Sequence, residues 1–452
     1  PLAAGLLLAG AFVLLSIVQP LVGLALTLLA GPLGALENQT FDPAMPESGQ
    51  LLFLWTAAVW LGRSLLARRP LLPATPLNRP LALFLALSAI SLWDAVSLSL
   101  GLKEWLKWAE LALVMWLVVS LAGRRAVRWL AAAALAAGLS QAVIGIWQFG
   151  LRGTGPDHFE ILNGYYRAFG TFQQPNPFGG FMALSAAMAL GAALGQLGGL
   201  LGQRRAGQRV PSAAWLWLAF FGLSAAVLGL ALVMSWSRGA WLGFAAGLLA
   251  MGLFLPRRRW LGALLLAAGL LALLALLTAG LLPASVSGRL ASLTAEIQLG
   301  DVRGADVTAD NFAVLERLAH WQAAVEMARG NLWLGVGIGN YAAAYDQYAL
   351  INWPLALGHA HNYYLNILAE TGLLGTAAYL VLWFAVIWQT IRLLGRHGWP
   401  QRGLALGLLG VWSTLSVHHV VDKLYVNNLY LFMGALLGLQ QLLERTDEQH
   451  VD

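Results

Sequence analysis

Apolar runs of about 16 or more residues recur from one end of the 452-residue chain to the other. Runs of that length with few charges suit bilayer-spanning helices, which satisfy their own backbone hydrogen bonds where water is absent. The composition agrees, with 59% hydrophobic and 11% charged residues against about 25% charged in a soluble domain. The pattern predicts spans near 2–30, 51–66, 80–98, 104–122, 127–149, 177–200, 212–235, 240–255, 260–282, 362–391, 403–420 and 424–443. The first is long enough to be two segments broken at Pro20, so the expected count is twelve, give or take one. The N-terminal stretch lacks a basic leader and a clear small-residue cleavage site, and reads as a span rather than a signal peptide.

The expected fold is therefore all-α: a polytopic membrane helical bundle of about 12 transmembrane helices with a large, partly helical outer loop. Residues 1–282 would hold transmembrane helices 1–9. Residues 283–360 would form the loop with an amphipathic helix, and 361–452 helices 10–12 with a short cytoplasmic tail. The chain has no cysteine, which excludes disulfides, thiolate metal sites and thiol nucleophiles. Its net charge of +6 reads as basic loops facing the cytoplasm, with no nucleic-acid partner expected.

Those loops set the orientation. Arg63, Arg68, Arg69, Arg79, Arg124, Arg125, Arg128, Arg204, Arg205 and Arg209 fall on alternate loops; so do Arg257, Arg258, Arg259, Arg392, Arg396 and Arg402. With Arg445 in the tail they make 17 of the 27 basic residues, and the positive-inside rule places them in the cytoplasm with both termini. The opposite loops begin acidic (Glu37, Asp42, Glu47) and are sparse in basic residues.

Candidate functional residues gather on that opposite face. Arg238, in Ser235-Trp236-Ser237-Arg238-Gly239-Ala240-Trp241, sits between two spans with almost no loop. A charge so near hydrocarbon is costly, and an anionic ligand or interfacial snorkelling would compensate it. In the large loop, Asp310 is placed to cap a helix running to Arg329 and closed by Gly330. Leu318, Trp321, Val325 and Ala328 would be its apolar stripe, lying on the membrane surface or the bundle mouth, with Arg317 one turn before Trp321. Arg317 could equally be tied to Glu316 or Asp310 in an ordinary ion pair.

His359-Ala360-His361-Asn362 leads into the next span. Asn362, Asn366 and Glu370 recur every four residues and predict a polar stripe turned to the bundle interior. On a helix, His359 and His361 would point to different sides, so no metal pair is expected. A neutral histidine at a wet interface suits general-base work, or simply bonds a backbone carbonyl. The loop from Asn163 through Arg167 to Pro175-Asn176-Pro177 is dense in aromatics and amides, which suit sugars and lipid headgroups as well as an aromatic belt. His418-His419 and Asp422-Lys423 could line the same mouth. Asp94 and Glu110 are placed within spans, as possible substrate-path groups. The glycine run 335–339 follows no predicted strand and precedes no lysine, so it is no phosphate loop.

Several arginines and a histidine at one outer mouth describe a site for a phosphate-bearing lipid and an incoming nucleophile, because a guanidinium donates two parallel hydrogen bonds to phosphate. The segments Arg167–Pro177, Ser237–Gly243, Arg317–Gly339 and His359–Asn362 through Glu370-Thr371-Gly372-Leu373-Leu374-Gly375 resemble, in order, the O-antigen ligase and O-antigen polymerase family of bacterial membrane glycosyltransferases. The similarity spans roughly 163–393; the N-terminal half resembles the family in topology only.

The resemblance implies a helical bundle of the GT-C type with a large periplasmic loop, in the bacterial inner membrane, with its active site on the periplasmic or extracellular face. It implies metal-independent, inverting transfer of a glycan from undecaprenyl pyrophosphate to a hydroxyl on a glycan, lipid or protein acceptor, with membrane lipids as surroundings and no cofactor. Arg238 and Arg317 match the arginines that would hold the pyrophosphate, and His361 the proposed base. Arg167, Asn176, His359, Asn362, Glu370, Trp321 and His418 would complete the substrate site. Asn331-Leu332 stands where relatives often have His-Pro, and Ile338 where Pro is frequent, so ligase and polymerase both stay open. A polyprenyl-glycan transporter or flippase would instead show inverted repeats and midplane polar groups, and no repeat is visible. A non-catalytic envelope scaffold would need no buried arginines.

Overall fold

The computed structural model describes residues 2–40, 45–68, 70–123, 126–162, 164–281, 301–308 and 311–448. The chain begins with α1 (Leu2–Val18) and α2 (Pro20–Ala30). The break falls at Gln19, because Pro20 brings no N–H to a helix interior and sits instead at a helix start. Then come α3 (Gly34–Thr40), α4 (Ser48–Leu66), α5 (Asn78–Ile90), α6 (Leu98–Leu121) and α7 (Val127–Ile146). A small antiparallel hairpin, β1 (Glu160–Leu162) and β2 (Tyr165–Tyr166), is the one strand pair among the described residues. There follow α8 (Pro175–Arg205), α9 (Ser212–Met234), α10 (Arg238–Phe254), α11 (Arg259–Thr278), the loop helix α12 (Phe312–Gly330) and the short α13 (Tyr341–Ala344). The last three are α14 (Tyr363–Arg396), α15 (Gln401–His418) and α16 (Leu429–Glu448).

Six described stretches are long and apolar enough to cross a bilayer: Pro20–Thr40, Val127–Leu151, Pro175–Arg205, Ser212–Met234, Arg259–Leu276 and Tyr363–Arg396. The chain is an integral membrane protein, but this measure does not reach the expected count of about twelve. The shortfall has physical causes. Asn78–Ile90 and Arg238–Phe254 are apolar but short, and α6 carries Lys103, Glu104, Lys107 and Glu110. The expected span at 80–98 ends as helix at Ile90, so Asp94 lies in an exposed turn instead of within a span. Glu110 does sit in α6, near Tyr430 of α16.

The core is built on α15, which packs against α8 on one side and α10 on the other. Small residues allow the close approach: a Cβ on Gly195 would stand 2.9 Å from the Gly403 Cα, and one on Gly247 2.8 Å from the Gly410 carbonyl. Without a hydrophobic force between helices in lipid, such backbone contact supplies much of the adhesion. The peripheral α11 turns Leu264, Leu265, Leu270, Leu271 and Leu274 outward.

The two ends of the bundle differ. At one, Arg402 donates to the carbonyls of Leu394 and Phe254, closing the ends of α14 and α10 beside Arg257 and Arg259. At the other, the Tyr363 N–H at the start of α14 bonds the His419 carbonyl just after α15 at 2.7 Å. The large loop covers this second end. Its glycine run packs on α14, with Val336 N donating to Ala369 O at 2.9 Å. There α14 kinks at Gly372 (φ 61°, ψ −164°), and the freed amides of Leu373 and Leu374 bond the carbonyls of Leu332 and Trp333.

The loop helix α12 lies against α14, at the bundle mouth. Asp310 lies outside the described residues; the N-terminal flank of the helix is Asn311, whose side chain makes no cap bond. The expected stripe holds in part: Leu318 and Ala328 are buried, but the buried face is wider than the stripe. The deeply buried face carries Ala319, His320, Ala323, Ala324 and Met327, while Trp321 and Val325 are half-buried at its edge.

Candidate active site

Gly239, Gly243 and Gly247 recur every four residues and form the face of α10 that meets α15. A Cβ on Gly243 would lie 2.8 Å from the Thr414 carbonyl, and one on Gly239 3.8 Å from His418 Cε1. This contact brings the first turn of α10, with the half-buried Arg238, beside the buried His418. The preceding turn is unusual, since Trp236 adopts a left-handed backbone (φ 53°). It is clamped from the aromatic outer loop. Arg167 Nε donates to Ser235 O at 3.1 Å, and its NH2 to Asn176 Oδ1 at 3.0 Å. Ser237, the N-cap, donates its hydroxyl to the same Asn176 oxygen at 3.0 Å. A helix N-terminus plus a guanidinium is a natural place for phosphate.

His361 also holds a left-handed backbone (φ 51°), a strained state of the kind that clusters at functional sites. It precedes the N-cap Asn362, whose Oδ1 accepts from Tyr364 N at 3.0 Å and Leu365 N at 3.1 Å. Asn366 Oδ1 accepts from Ala360 N at 3.1 Å, and Glu370 Oε1 from Tyr341 N at 3.2 Å. The polar stripe is buried, as its spacing predicts, and the bonds of Asn366 and Glu370 tie the large loop to α14.

The histidine pair corrects one expectation. Neither residue is in a helix, so the two do not point apart. Their rings lie 4.4 Å apart, centre to centre. His359 Nδ1 accepts from His361 N at 3.0 Å. Asp422 Oδ1 stands 3.7 Å from His359 Nε2 and 4.0 Å from His361 Nδ1. One ligand atom from each of His359, His361 and Asp422 falls within a 4.8 Å spread. A zinc-like ion held at about 2.0–2.2 Å would need the three to draw together. Both ring nitrogens of His361 lack a hydrogen-bond partner among the described residues.

The loop helix closes the site. Trp321 Nε1 donates to the His361 carbonyl at 3.4 Å. The ring of His320, 5.6 Å from that of His361, bonds the Tyr341 hydroxyl through Nδ1 at 3.0 Å. Burial pushes His359 and His361 down to about 3. The charge of Lys423 adds to this for His359, and the neighbouring His359 for His361, with Arg317 acting on both; Asp422 opposes the shift at His361. Burial also pushes His320 down to about 4. All three are neutral near pH 7 and able to accept a proton. Arg317 lies within electrostatic reach of His418 as well. It also interacts with Glu316, as the alternative reading from the sequence allowed.

The structure thus brings His359, His361, His418, Arg317 and Trp321 to one mouth. Arg238 adjoins it through Gly239, and Arg167 and Asn176 hold the Arg238 turn. The sequence suggested Asp422 and Lys423 only as corner residues and did not single out His320. A buried ion pair, Lys423 Nζ to Glu104 Oε1 at 2.8 Å, underlies the site, with Lys107 on the other Glu104 oxygen at 2.8 Å. The nearest clue was a carboxylate and a lysine in apolar surroundings on segments distant in sequence.

No curated protein matches the chain. The family model described as O-Antigen ligase matches residues 223–380, a segment that includes Arg238, Arg317, Trp321, His359, His361, Asn362 and Glu370 and ends before His418 and Asp422. Over residues 223–380 the chain is similar to the O-antigen ligase family.

Proposed function

We propose that the protein is a membrane glycosyltransferase. It moves a glycan from an undecaprenyl-pyrophosphate donor to an acceptor hydroxyl at the outer face of the cytoplasmic membrane. The observation that carries this reading is a half-buried, neutral His361 whose ring nitrogens make no hydrogen bond among the described residues, 4.0 Å from Asp422 Oδ1 and within electrostatic reach of Arg317.

In the reaction, the acceptor oxygen attacks the anomeric carbon from the side opposite the diphosphate. The new C–O bond forms as the bond to the diphosphate oxygen breaks with its electron pair, inverting the centre. His361 takes the hydroxyl proton. The leaving diphosphate gains negative charge, which Arg317, Arg238 and the N-terminus of α10 would stabilise in a site of low dielectric. Two positive side chains can serve here where other enzymes use a divalent metal. A bound diphosphate also offsets the charge of Arg317, which raises the proton affinity of His361 as the acceptor arrives. The donor carries its own bond energy, so no nucleotide fold is required.

The test is transfer in membranes by His361→Ala and Arg238→Ala. Loss of transfer by normally folded variants is expected, and undiminished transfer would refute the site. Transfer should survive EDTA; abolition with rescue by Mg²⁺ would overturn the metal-independent mechanism. Given a polyprenyl-linked oligosaccharide, a ladder of lengths identifies a polymerase and a single transfer to a separate acceptor a ligase.

A further inference from the structure

A cavity of about 540 Å³ opens beside the loop helix. Successive residues of a helix are about 100° apart. Arg317, His320 and Ala324 therefore share one face, while Leu318, Gln322, Val325 and Arg329 share another. The second face, with Leu365 of α14 and the segment Asp301–Arg303, lines the cavity. Trp321 lies between the two faces. It lines the cavity and also donates to the His361 carbonyl at 3.4 Å.

The lining is chemically mixed. Its floor is apolar: Leu318, Trp321, Val325 and Leu365. Its rim holds two ion pairs, Arg329–Glu326 at 2.7 Å and Arg303–Asp301 at 3.7 Å. The rim charges cancel, so a free phosphate or anionic headgroup gains no net attraction there, and four charged groups disfavour an acyl chain. A sugar ring matches both parts. Its C–H face packs on an indole, and its hydroxyl pairs bond to planar carboxylates and guanidiniums. The volume is within the range of small-ligand sites.

We infer that this groove is a saccharide subsite that seats the acceptor glycan and delivers its hydroxyl past Trp321 to His361. The assignment rests on the glycosyl-transfer reading. The diphosphate of the donor belongs on the Arg317 face, which leaves the adjoining face, about a third of a turn away, to the other substrate.

The experiment uses the full-length protein in detergent with Val325→Trp, which fills the groove, and Arg329→Ala, which removes an exposed rim cation. In the transfer assay the acceptor KM should rise about tenfold or more, with donor KM and kcat at saturating acceptor unchanged. A rise in donor KM instead, or no change in either, would overturn the assignment. A second arm needs no turnover: saturation-transfer NMR with soluble oligosaccharide released from the cell envelope by mild acid. Saturation should reach the sugar protons with the parent protein and fall to background in both variants. Its absence with the parent protein overturns the subsite. If that binding is present while the parent protein transfers nothing, the failure lies with the proposed reaction and not with the groove. Equal melting temperatures for Arg329→Ala and the parent exclude misfolding as the cause.

Discussion

Arg167 donates to Asn176 Oδ1 at 3.0 Å, and that one oxygen also accepts the Ser237 hydroxyl at 3.0 Å. The amide thus couples the aromatic outer loop to the turn that presents Arg238. Asn176→Ala removes the shared acceptor and loosens the turn. Misplacement of a substrate-holding group by about 1 Å can cost on the order of 100-fold in rate. Transfer should therefore fall about 10- to 100-fold, while Asn176→Asp, which keeps an acceptor oxygen, retains much more activity. Equal rates for the Ala and Asp variants would show that the clamp does not govern Arg238.

Asp422 is the carboxylate that faces both mouth histidines, and its charge favours proton uptake by His361. Asp422→Asn preserves shape but removes that charge, so His361 becomes a poorer base. General-base assistance is worth about 10²–10⁴ in rate. A fall in kcat of about tenfold or more is expected, with donor KM nearly constant. A change confined to donor KM would instead place Asp422 in donor binding.

The same histidines give stability a pH dependence of definite sign. Folding lowers His359 and His361 to about 3, whereas the unfolded chain titrates near 6.5. Between those values the unfolded state binds more protons, so stability rises with pH. Their contribution is complete above about pH 6.5 and is lost as the pH falls toward 3. Thermal unfolding in detergent should thus be level from pH 7 to 8 and drop below about pH 6. The double variant His359→Gln/His361→Gln should flatten the drop; an equally steep profile in that variant would assign it to other groups.

Much of this was legible in the sequence, and the rest had reasons to be hidden. Arg238, Arg317 and His361 stand out because charge and imidazole are costly or rare beside apolar runs, and the helix break at Pro20 follows from local chemistry, whereas the loop helix runs through Gly330 to a C-cap at Asn331. Six of the roughly twelve expected spans meet the simple rule of length and hydropathy; among the others, α5 and α10 are apolar but short and α6 carries four charged residues. The geometry of His359 and His361 was misjudged because a left-handed residue at 361 is not written in a periodicity. The roles of Asp422 and His320 depend on contacts between segments about 40 to 60 residues apart, which no local pattern encodes.

The Lys423–Glu104 pair is buried, with each side chain 9% exposed. Breaking such a pair from one side strands a charge, typically at about 3–5 kcal/mol, whereas replacing both partners with apolar groups is often nearly neutral. Lys107 remains on Glu104 at 2.8 Å, so Lys423→Met should destabilise toward the lower end of that range. Glu104→Gln/Lys423→Met should recover part of the loss. Because Lys423 also helps to hold His359 neutral, the single variant should lower activity at temperatures where it remains folded. Unfolding midpoints and transfer rates for the two variants measure these effects. If the double variant is less stable than Lys423→Met, the pair is not compensating a buried charge, and its place beneath the histidines needs another explanation.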